Sequence, residues 1–143
     1  MKDIDILLVE DNEGDIVLTM EALEDARILN KVTVKRDGAE ALDFLFNLAK
    51  HNPNELPDLI LLDINLPKID GKEVLSQIKT NPVLKKIPVV MLTTSSSEVD
   101  ILESYNKHAN CYIIKPVDLN KFFSIVKAIE NFWVTIVKLP VKD

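Results

Sequence analysis

Leu59-Ile60-Leu61-Leu62-Asp63, four branched apolar residues followed by an acid, lies near the middle of the 143-residue chain. The run does not alternate between apolar and polar residues, which is typical of a strand covered on both faces. Four other short runs are also rich in branched residues. The five predicted strands are Ile4 to Val9, Val32 to Lys35, Leu59 to Leu62, Val89 to Leu92 and Tyr112 to Ile114.

Segments with apolar residues three and four positions apart separate these strands and predict five helices. Their apolar positions are Ile16, Met20 and Leu23; Ala41, Leu42, Leu45 and Leu48; Val74, Leu75 and Ile78; Ile101, Leu102 and Tyr105; and Leu119, Phe122, Val126, Ile129 and Trp133. Asp70-Gly71 is expected to open the third helix and Asn81-Pro82 to close it. Strict alternation of strand and helix predicts an α/β fold, a doubly wound parallel sheet with helices on both faces.

Composition limits the classes of function. The chain is 47% hydrophobic and 28% charged, an ordinary balance for a globular protein, and its net charge of −6 disfavours a nucleic-acid binder. Its N-terminus carries acids where a signal peptide needs basic residues, and no stretch approaches the roughly 20 apolar residues of a membrane span. The single cysteine fits a reducing compartment. We therefore expect one cytoplasmic domain that does not bind nucleic acid or a membrane.

Four of the five predicted strands end in a residue that could bind a cation or a phosphoryl group. Glu10-Asp11 follows the first strand, Asp63 the third, Thr93 the fourth and Lys115 the fifth. Each alone has an ordinary interpretation as a helix cap, a turn residue or a solvated lysine. Because ligands of parallel sheets bind at the carboxyl ends of the strands, their coincidence at one edge favours a functional site.

The three acids at this edge would repel one another unless a cation neutralised them. Oxygen ligands suit Mg²⁺, which Asp11 and Asp63 could bind directly while Glu10 acts through water. Asp63 is then a plausible nucleophile that forms an aspartyl phosphate. Lys115 and the Thr93 hydroxyl could each contact a phosphoryl oxygen.

These residues resemble the receiver domain of two-component response regulators. The matching motifs are Leu8-Val9-Glu10-Asp11-Asn12, Leu61-Leu62-Asp63 with Pro67 and Asp70-Gly71, Leu92-Thr93-Thr94-Ser95 and Tyr112-Ile113-Ile114-Lys115-Pro116. The resemblance implies a flavodoxin-like fold with strand order 2-1-3-4-5 and a single receiver domain over residues 1–143 without an output domain.

The resemblance also implies a role for each matching residue. Asp63 would be the phospho-acceptor, and Mg²⁺ would be bound by Asp11, Asp63 and the main-chain oxygen of Asn65, with Glu10 completing the acidic pocket. Thr93 and Tyr112 would be the switch residues. Lys115 would contact the phosphoryl group and form a cis peptide with Pro116.

A narrower similarity links the chain to the single-domain regulators associated with bacterial phytochromes. It rests on Ser104-Tyr105-Asn106, on 108–112, on Phe132-Trp133 and on 137–140. It implies a histidine kinase or phosphotransfer protein of the phytochrome type as partner, and signalling through protein contacts. The fifth predicted helix is apolar on more than one side, so we expect a homodimer through the fourth helix, fifth strand and fifth helix.

Three other functions remain open at this level. A haloacid-dehalogenase-type phosphatase also uses an aspartate after an apolar strand, but needs a second aspartate where this chain has Asn65. A nucleotide- or flavin-binding module needs a glycine-rich or hydroxyl-rich loop after the first strand, where this chain has Glu10-Asp11-Asn12-Glu13. A phosphorylation-independent interaction domain would bind its partner without Asp63 chemistry.

Overall fold

The computed structural model describes residues 4–25, 30–93, 111–115 and residue 120. The strands are β1 (Ile4–Val9), β2 (Asn30–Lys35), β3 (Leu59–Asp63), β4 (Val89–Thr93) and β5 (Cys111–Ile114). The helices in these ranges are α1 (Glu13–Asp25), α2 (Gly38–His51) and α3 (Gly71–Lys79), with short 3₁₀ turns at Pro53–Glu55 and Leu84–Lys86.

The five strands form one parallel sheet in the order β2-β1-β3-β4-β5. The register sets Val9 opposite Leu62, Asp63 opposite Leu92, and Thr93 opposite Ile114. The carboxyl ends of β1, β3, β4 and β5 therefore meet along one edge. The predicted α/β class and strand order are confirmed.

The sheet is covered on both faces, as its continuous apolar strands predict. Every residue of β3 and β4 is buried. Alternate strand residues belong to two separate cores, because successive side chains of a strand point to opposite faces. Leu7, Ile60 and Leu62 pack with α2 and α3 on one face, whereas Leu8 and Leu61 pack with α1 on the other.

The helices begin beside the strand ends, and each has a polar side chain at its start. Asn12 Oδ1 accepts a hydrogen bond from the backbone N–H of Asp15 (2.9 Å) at the start of α1. Asp37 caps α2, and Asp70 caps α3 as predicted, with Oδ1 accepting from the N–H of Glu73 at 3.0 Å. These caps satisfy N–H groups that have no partner inside a helix.

Most predicted element positions agree with the structure to within two residues. One core assignment is wrong: Met20 of α1 is 39% exposed, and Thr19 lies in the interior instead. Ile16 and Leu23 are buried as predicted, and Thr19 is on the same face of the helix between them. The apolar positions of the predicted fourth helix (101, 102 and 105) and fifth helix (119, 122, 126, 129 and 133) lie outside the described residues. None of the helices that the structure describes is long and apolar enough to cross a membrane.

Candidate functional site

Three carboxyl groups converge at the carboxyl edge of the sheet. One ligand oxygen from each of Glu10, Asp11 and Asp63 lies within 4.8 Å of the others. Glu10 directly follows β1 and Asp63 ends β3, and these strands are hydrogen-bonded neighbours. Glu10 and Asp63 are buried, while Asp11 is exposed. The sheet register thus brings together the acids that the sequence predicted would meet.

The ammonium group of Lys115 lies among these carboxylates. Lys115 Nζ is 3.0 Å from Glu10 Oε1 and 3.3 Å from Asp63 Oδ2, and its side chain is only 6% exposed. It reaches this position because the backbone N–H of Lys115 donates to the carbonyl oxygen of Thr93 (2.7 Å), which continues the pairing of β5 with β4. The predicted proximity of Lys115 to the acids is therefore confirmed.

Among the described residues a fourth carboxylate, that of Asp15, also contacts Lys115 and was not predicted. Asp15 Oδ2 accepts from Lys115 Nζ at 2.8 Å, the shortest of the three contacts of that ammonium group. Asp15 lies in the first turn of α1, and that turn starts at the carboxyl edge of the sheet. An acid two residues into the first helix was the available signal, but acids in a first helical turn are usually explained by the helix dipole alone.

Backbone groups hold the carboxylates in place. The N–H of Asn65 donates to Asp63 Oδ1 (3.2 Å), and the N–H of Asn12 donates to Glu10 Oε2 (3.2 Å). Asp63 therefore has one oxygen on the backbone and the other beside Lys115. Asn65 lies in the loop after β3 and contacts Asp63 through its backbone N–H, and the ligand role of its main-chain oxygen stays a prediction.

Gly71, the first residue of α3, allows this helix to start in direct contact with the backbone of Asp63. The N–H of Gly71 donates to the carbonyl oxygen of Ile64 (2.8 Å). A Cβ at position 71 would overlap the carbonyl oxygen of Asp63 and lie 2.7 Å from Cα of Ile64. Only glycine fits at this contact without movement of the backbone.

The electrostatics of the site reflect its excess of acid. The pKa of Glu10 is raised from 4.5 to about 7, mainly by burial. The hydrogen bond from Lys115 opposes this rise, and the nearby Asp63 carboxylate adds to it. Burial alone would lower the pKa of Lys115, but its hydrogen bonds to Asp15 and Glu10 outweigh burial and raise it. The side chain of Lys115 therefore stays positively charged, and the acids around it could still bind a second cation.

The remaining predicted residues are placed in part. Thr93 ends β4, next to β3, and is 2% exposed. Tyr112 lies in β5 opposite Met91, but its side chain and the Lys115–Pro116 peptide bond lie outside the described residues.

The donor set fits a divalent cation of the hard class. Glu10, Asp11 and Asp63 offer only carboxylate oxygens, the ligands that Mg²⁺, Mn²⁺ and Ca²⁺ prefer. Burial is the largest cause of the raised pKa of Glu10, so the fold disfavours the charged form of this carboxyl group even beside the Lys115 ammonium. A metal ion there would have to share Glu10 and Asp63 with Lys115.

Comparisons with known proteins agree with this fold and site. The family model for the response regulator receiver domain matches residues 6–127. Response regulator Rcp1 of Synechocystis sp. is 48% identical over 135 residues, covering 94% of this chain and 92% of the relative. The chain belongs to the response regulator receiver domain family.

Two solved structures describe close relatives. The phosphorylated cyanobacterial phytochrome response regulator RcpA has a TM-score of 0.76 and 49% sequence identity, covering 98% of this chain and all of the other. The Mn²⁺-bound form of response regulator Rcp1 has a TM-score of 0.73 and 47% identity, covering 96% of this chain and 99% of the other. The chain is a receiver domain of two-component signalling, homologous to phytochrome response regulators.

Proposed function

We propose that this receiver domain accepts a phosphoryl group on Asp63, with Mg²⁺ bound by Asp11, Asp63 and the main-chain oxygen of Asn65, and with Glu10 completing the pocket. One observation carries the proposal: the buried Asp63 carboxylate has an oxygen 3.3 Å from the buried Lys115 ammonium, inside a group of three acids. The phosphorylated state of the relative RcpA and the Mn²⁺ of the relative Rcp1 support it.

In this mechanism an oxygen of Asp63 attacks the phosphorus of a phosphohistidine. A P–O bond forms, the P–N bond breaks, and the ring nitrogen of the donor leaves with the electron pair and takes up a proton. Mg²⁺, when bound, neutralises charge on the phosphoryl oxygens and shields the approach of an anionic donor. The all-oxygen donor set supports Mg²⁺ as a metal for this site.

Two other side chains would contact the transferred group. Lys115 is held beside Asp63 and supplies a positive charge for one phosphoryl oxygen. The hydroxyl group of Thr93, at the end of the neighbouring strand, would donate to a second oxygen. These contacts stabilise an aspartyl phosphate by position and charge, which is the main requirement of phosphoryl transfer.

The proposal is tested by intact-protein mass spectrometry after incubation with acetyl phosphate and Mg²⁺. A single phosphoryl adduct should form in the wild type and be absent with EDTA or in Asp63→Asn. The exposed Asp43 of α2 provides a matched control, since Asp43→Asn removes the same charge away from the site and should leave the adduct unchanged. An adduct that survives in Asp63→Asn would exclude Asp63 as the acceptor.

Phosphorylation would signal by a population shift at Thr93 and Tyr112. Phosphoryl binding by the Thr93 hydroxyl must favour one arrangement of these residues by a few kcal/mol to dominate the population. The support is that β4 and β5 are paired, so the two switch positions lie on adjacent strands. Full phosphorylation-dependent partner binding by both Thr93→Ala and Tyr112→Ala would contradict this scheme.

The phosphodonor we propose is a cytoplasmic histidine kinase or phosphotransfer protein, of the phytochrome type. The names of the relatives RcpA and Rcp1 support this assignment. The chain would signal through protein contacts of its one receiver domain and would catalyse only its own phosphorylation and dephosphorylation. A kinase panel that includes phytochrome-type and unrelated enzymes tests the assignment, and preferential labelling by an unrelated kinase would contradict it.

We also propose that the chain forms a homodimer through the predicted fourth helix, β5 and the predicted fifth helix. Among the described residues the support is Ile114, an apolar side chain of β5 that is 38% exposed. The apolar positions of the fifth predicted helix on more than one side add to it.

A further inference from the structure

Among the residues that the structure describes, Asp15 is the partner of Lys115 that the proposed metal site does not use. The ammonium group has three N–H donors, and its three carboxylate contacts are Asp15 at 2.8 Å, Glu10 at 3.0 Å and Asp63 at 3.3 Å. Glu10 and Asp63 also belong to the set of three acids that fits a divalent cation. A metal ion in that set therefore competes with Lys115 for two of its three acceptors, and only Asp15 remains entirely available.

The position of Asp15 is well defined by the fold. Its backbone N–H donates to Asn12 Oδ1 (2.9 Å) in the first turn of α1, and its side chain is 27% exposed. Lys115 is likewise held by its backbone hydrogen bond to Thr93. The two side chains meet from opposite parts of the sequence, 100 residues apart, so their contact depends on tertiary structure rather than on local chain geometry.

We propose that Asp15 is a positioning residue that keeps the Lys115 ammonium beside Asp63 when a metal ion occupies the acidic set, so that Lys115 meets the incoming phosphoryl oxygen. Without Asp15, Lys115 either remains on the metal-binding carboxylates and opposes the metal ion, or leaves the pocket. Both outcomes slow phosphorylation. This inference rests on the proposed phosphorylation of Asp63.

The test compares Asp15→Ala, Asp15→Asn and Glu13→Ala in the full chain. Asparagine keeps an oxygen acceptor for Lys115 and removes the charge. Glu13 is a matched control, because it is in the same helical turn and carries the same charge but pairs with the exposed Arg36 at 2.7 Å. Circular dichroism establishes that each variant is folded.

Two quantities are measured on each protein. The first is the ¹⁵N-detected signal of the Lys115 ammonium group in the Mg²⁺-loaded, unphosphorylated state, assigned by its loss in Lys115→Met. The second is the rate of adduct formation with acetyl phosphate. Asp15→Ala should lose the exchange-protected ammonium signal and be phosphorylated about tenfold more slowly, the smallest factor expected for a lost charge-assisted hydrogen bond. Asp15→Asn should recover part of both, and Glu13→Ala should match the wild type.

The inference is overturned if Asp15→Ala keeps the protected ammonium signal, whatever its rate, because Lys115 is then positioned without Asp15. It is also overturned if the signal is lost while the rate stays at the wild-type value. A wild-type protein that forms no adduct would instead contradict the proposed function, and the ammonium signal would still test the contact between Asp15 and Lys115.

Discussion

At the scale of single residues, the buried carboxyl group of Glu10 should make stability depend on pH. Its pKa is about 7 in the metal-free fold, against an ordinary value of 4.5. A raised pKa means that the fold disfavours the ionised form. Its contribution to stability is therefore fully present below about pH 4.5 and is lost as the pH rises through about 7.

We predict that the free energy of unfolding of metal-free protein falls between about pH 5 and about pH 8. Saturating Mg²⁺ should reduce this fall, because bound metal compensates the ionised carboxylates and stabilises the folded state. Urea unfolding monitored by circular dichroism, with EDTA or with Mg²⁺, measures both effects.

Glu10→Gln provides the control for this assignment, since glutamine has nearly the same shape and no titration. The decline over this pH interval should be smaller in Glu10→Gln than in the wild type. An equally steep decline in the variant would show that other groups cause the pH dependence and that Glu10 does not titrate as described.

At the scale of secondary-structure elements, the junction between β3 and α3 depends on Gly71. The start of α3 approaches the backbone of Asp63 so closely that a Cβ at position 71 would overlap the Asp63 carbonyl oxygen. The same backbone carries Asp63, the proposed phospho-acceptor, and the loop of Asn65. Helix packing and the geometry of the site are therefore coupled through one residue without a side chain.

We predict that Gly71→Ala lowers the free energy of unfolding by about 1–3 kcal/mol, the range for overpacking in a rigid interior. Gly14→Ala in α1 is the matched control. A Cβ there would meet only Asn12 Oδ1 at 3.3 Å, and alanine favours the helix, so the two effects should leave stability within about 1 kcal/mol of the wild type. Urea unfolding of both variants makes the comparison. Equal stability of Gly71→Ala and Gly14→Ala would contradict the close-packed junction.

At the scale of the whole molecule, the proposed homodimer can be tested by a substitution in the edge strand β5. Ile114→Glu should shift the protein toward the monomer mass in light scattering, because a charge would be placed in an apolar interface. Val83→Glu is the matched control, since Val83 is similarly exposed (42%) but lies outside β5, before the 3₁₀ turn 84–86. A monomer mass for the wild type at all concentrations, with and without phosphorylation, would exclude the dimer.

The sequence predicts the fold of the described residues well because the periodic signals are strong. Runs such as Leu59 to Leu62 are apolar at every position, and both faces of β3 are indeed buried. The sheet then determines which strand ends meet, which is why Glu10, Asp63 and Lys115 could be placed together before any geometry was known.

Two features of α1 could not be predicted in this way. Apolar spacing favoured Met20 for the interior, but Thr19 occupies it, because the direction of a helix face depends on packing that a short pattern does not specify. The contact of Asp15 with Lys115 depends on the angle at which α1 leaves β1 and on the side-chain conformation of Lys115. The spacing of residues along the sequence predicts neither this helix angle nor a side-chain conformation.

The most direct test of Asp63 as the phospho-acceptor is to locate the phosphoryl group chemically. An acyl phosphate on an aspartate is reduced by borohydride, and the residue becomes homoserine, which survives digestion and peptide sequencing by mass spectrometry. After treatment with acetyl phosphate and Mg²⁺, we expect homoserine at position 63 and unmodified aspartate at positions 11 and 15. Homoserine at another acidic residue, or none in a protein that carries the adduct, would contradict the assignment of Asp63 as the phospho-acceptor.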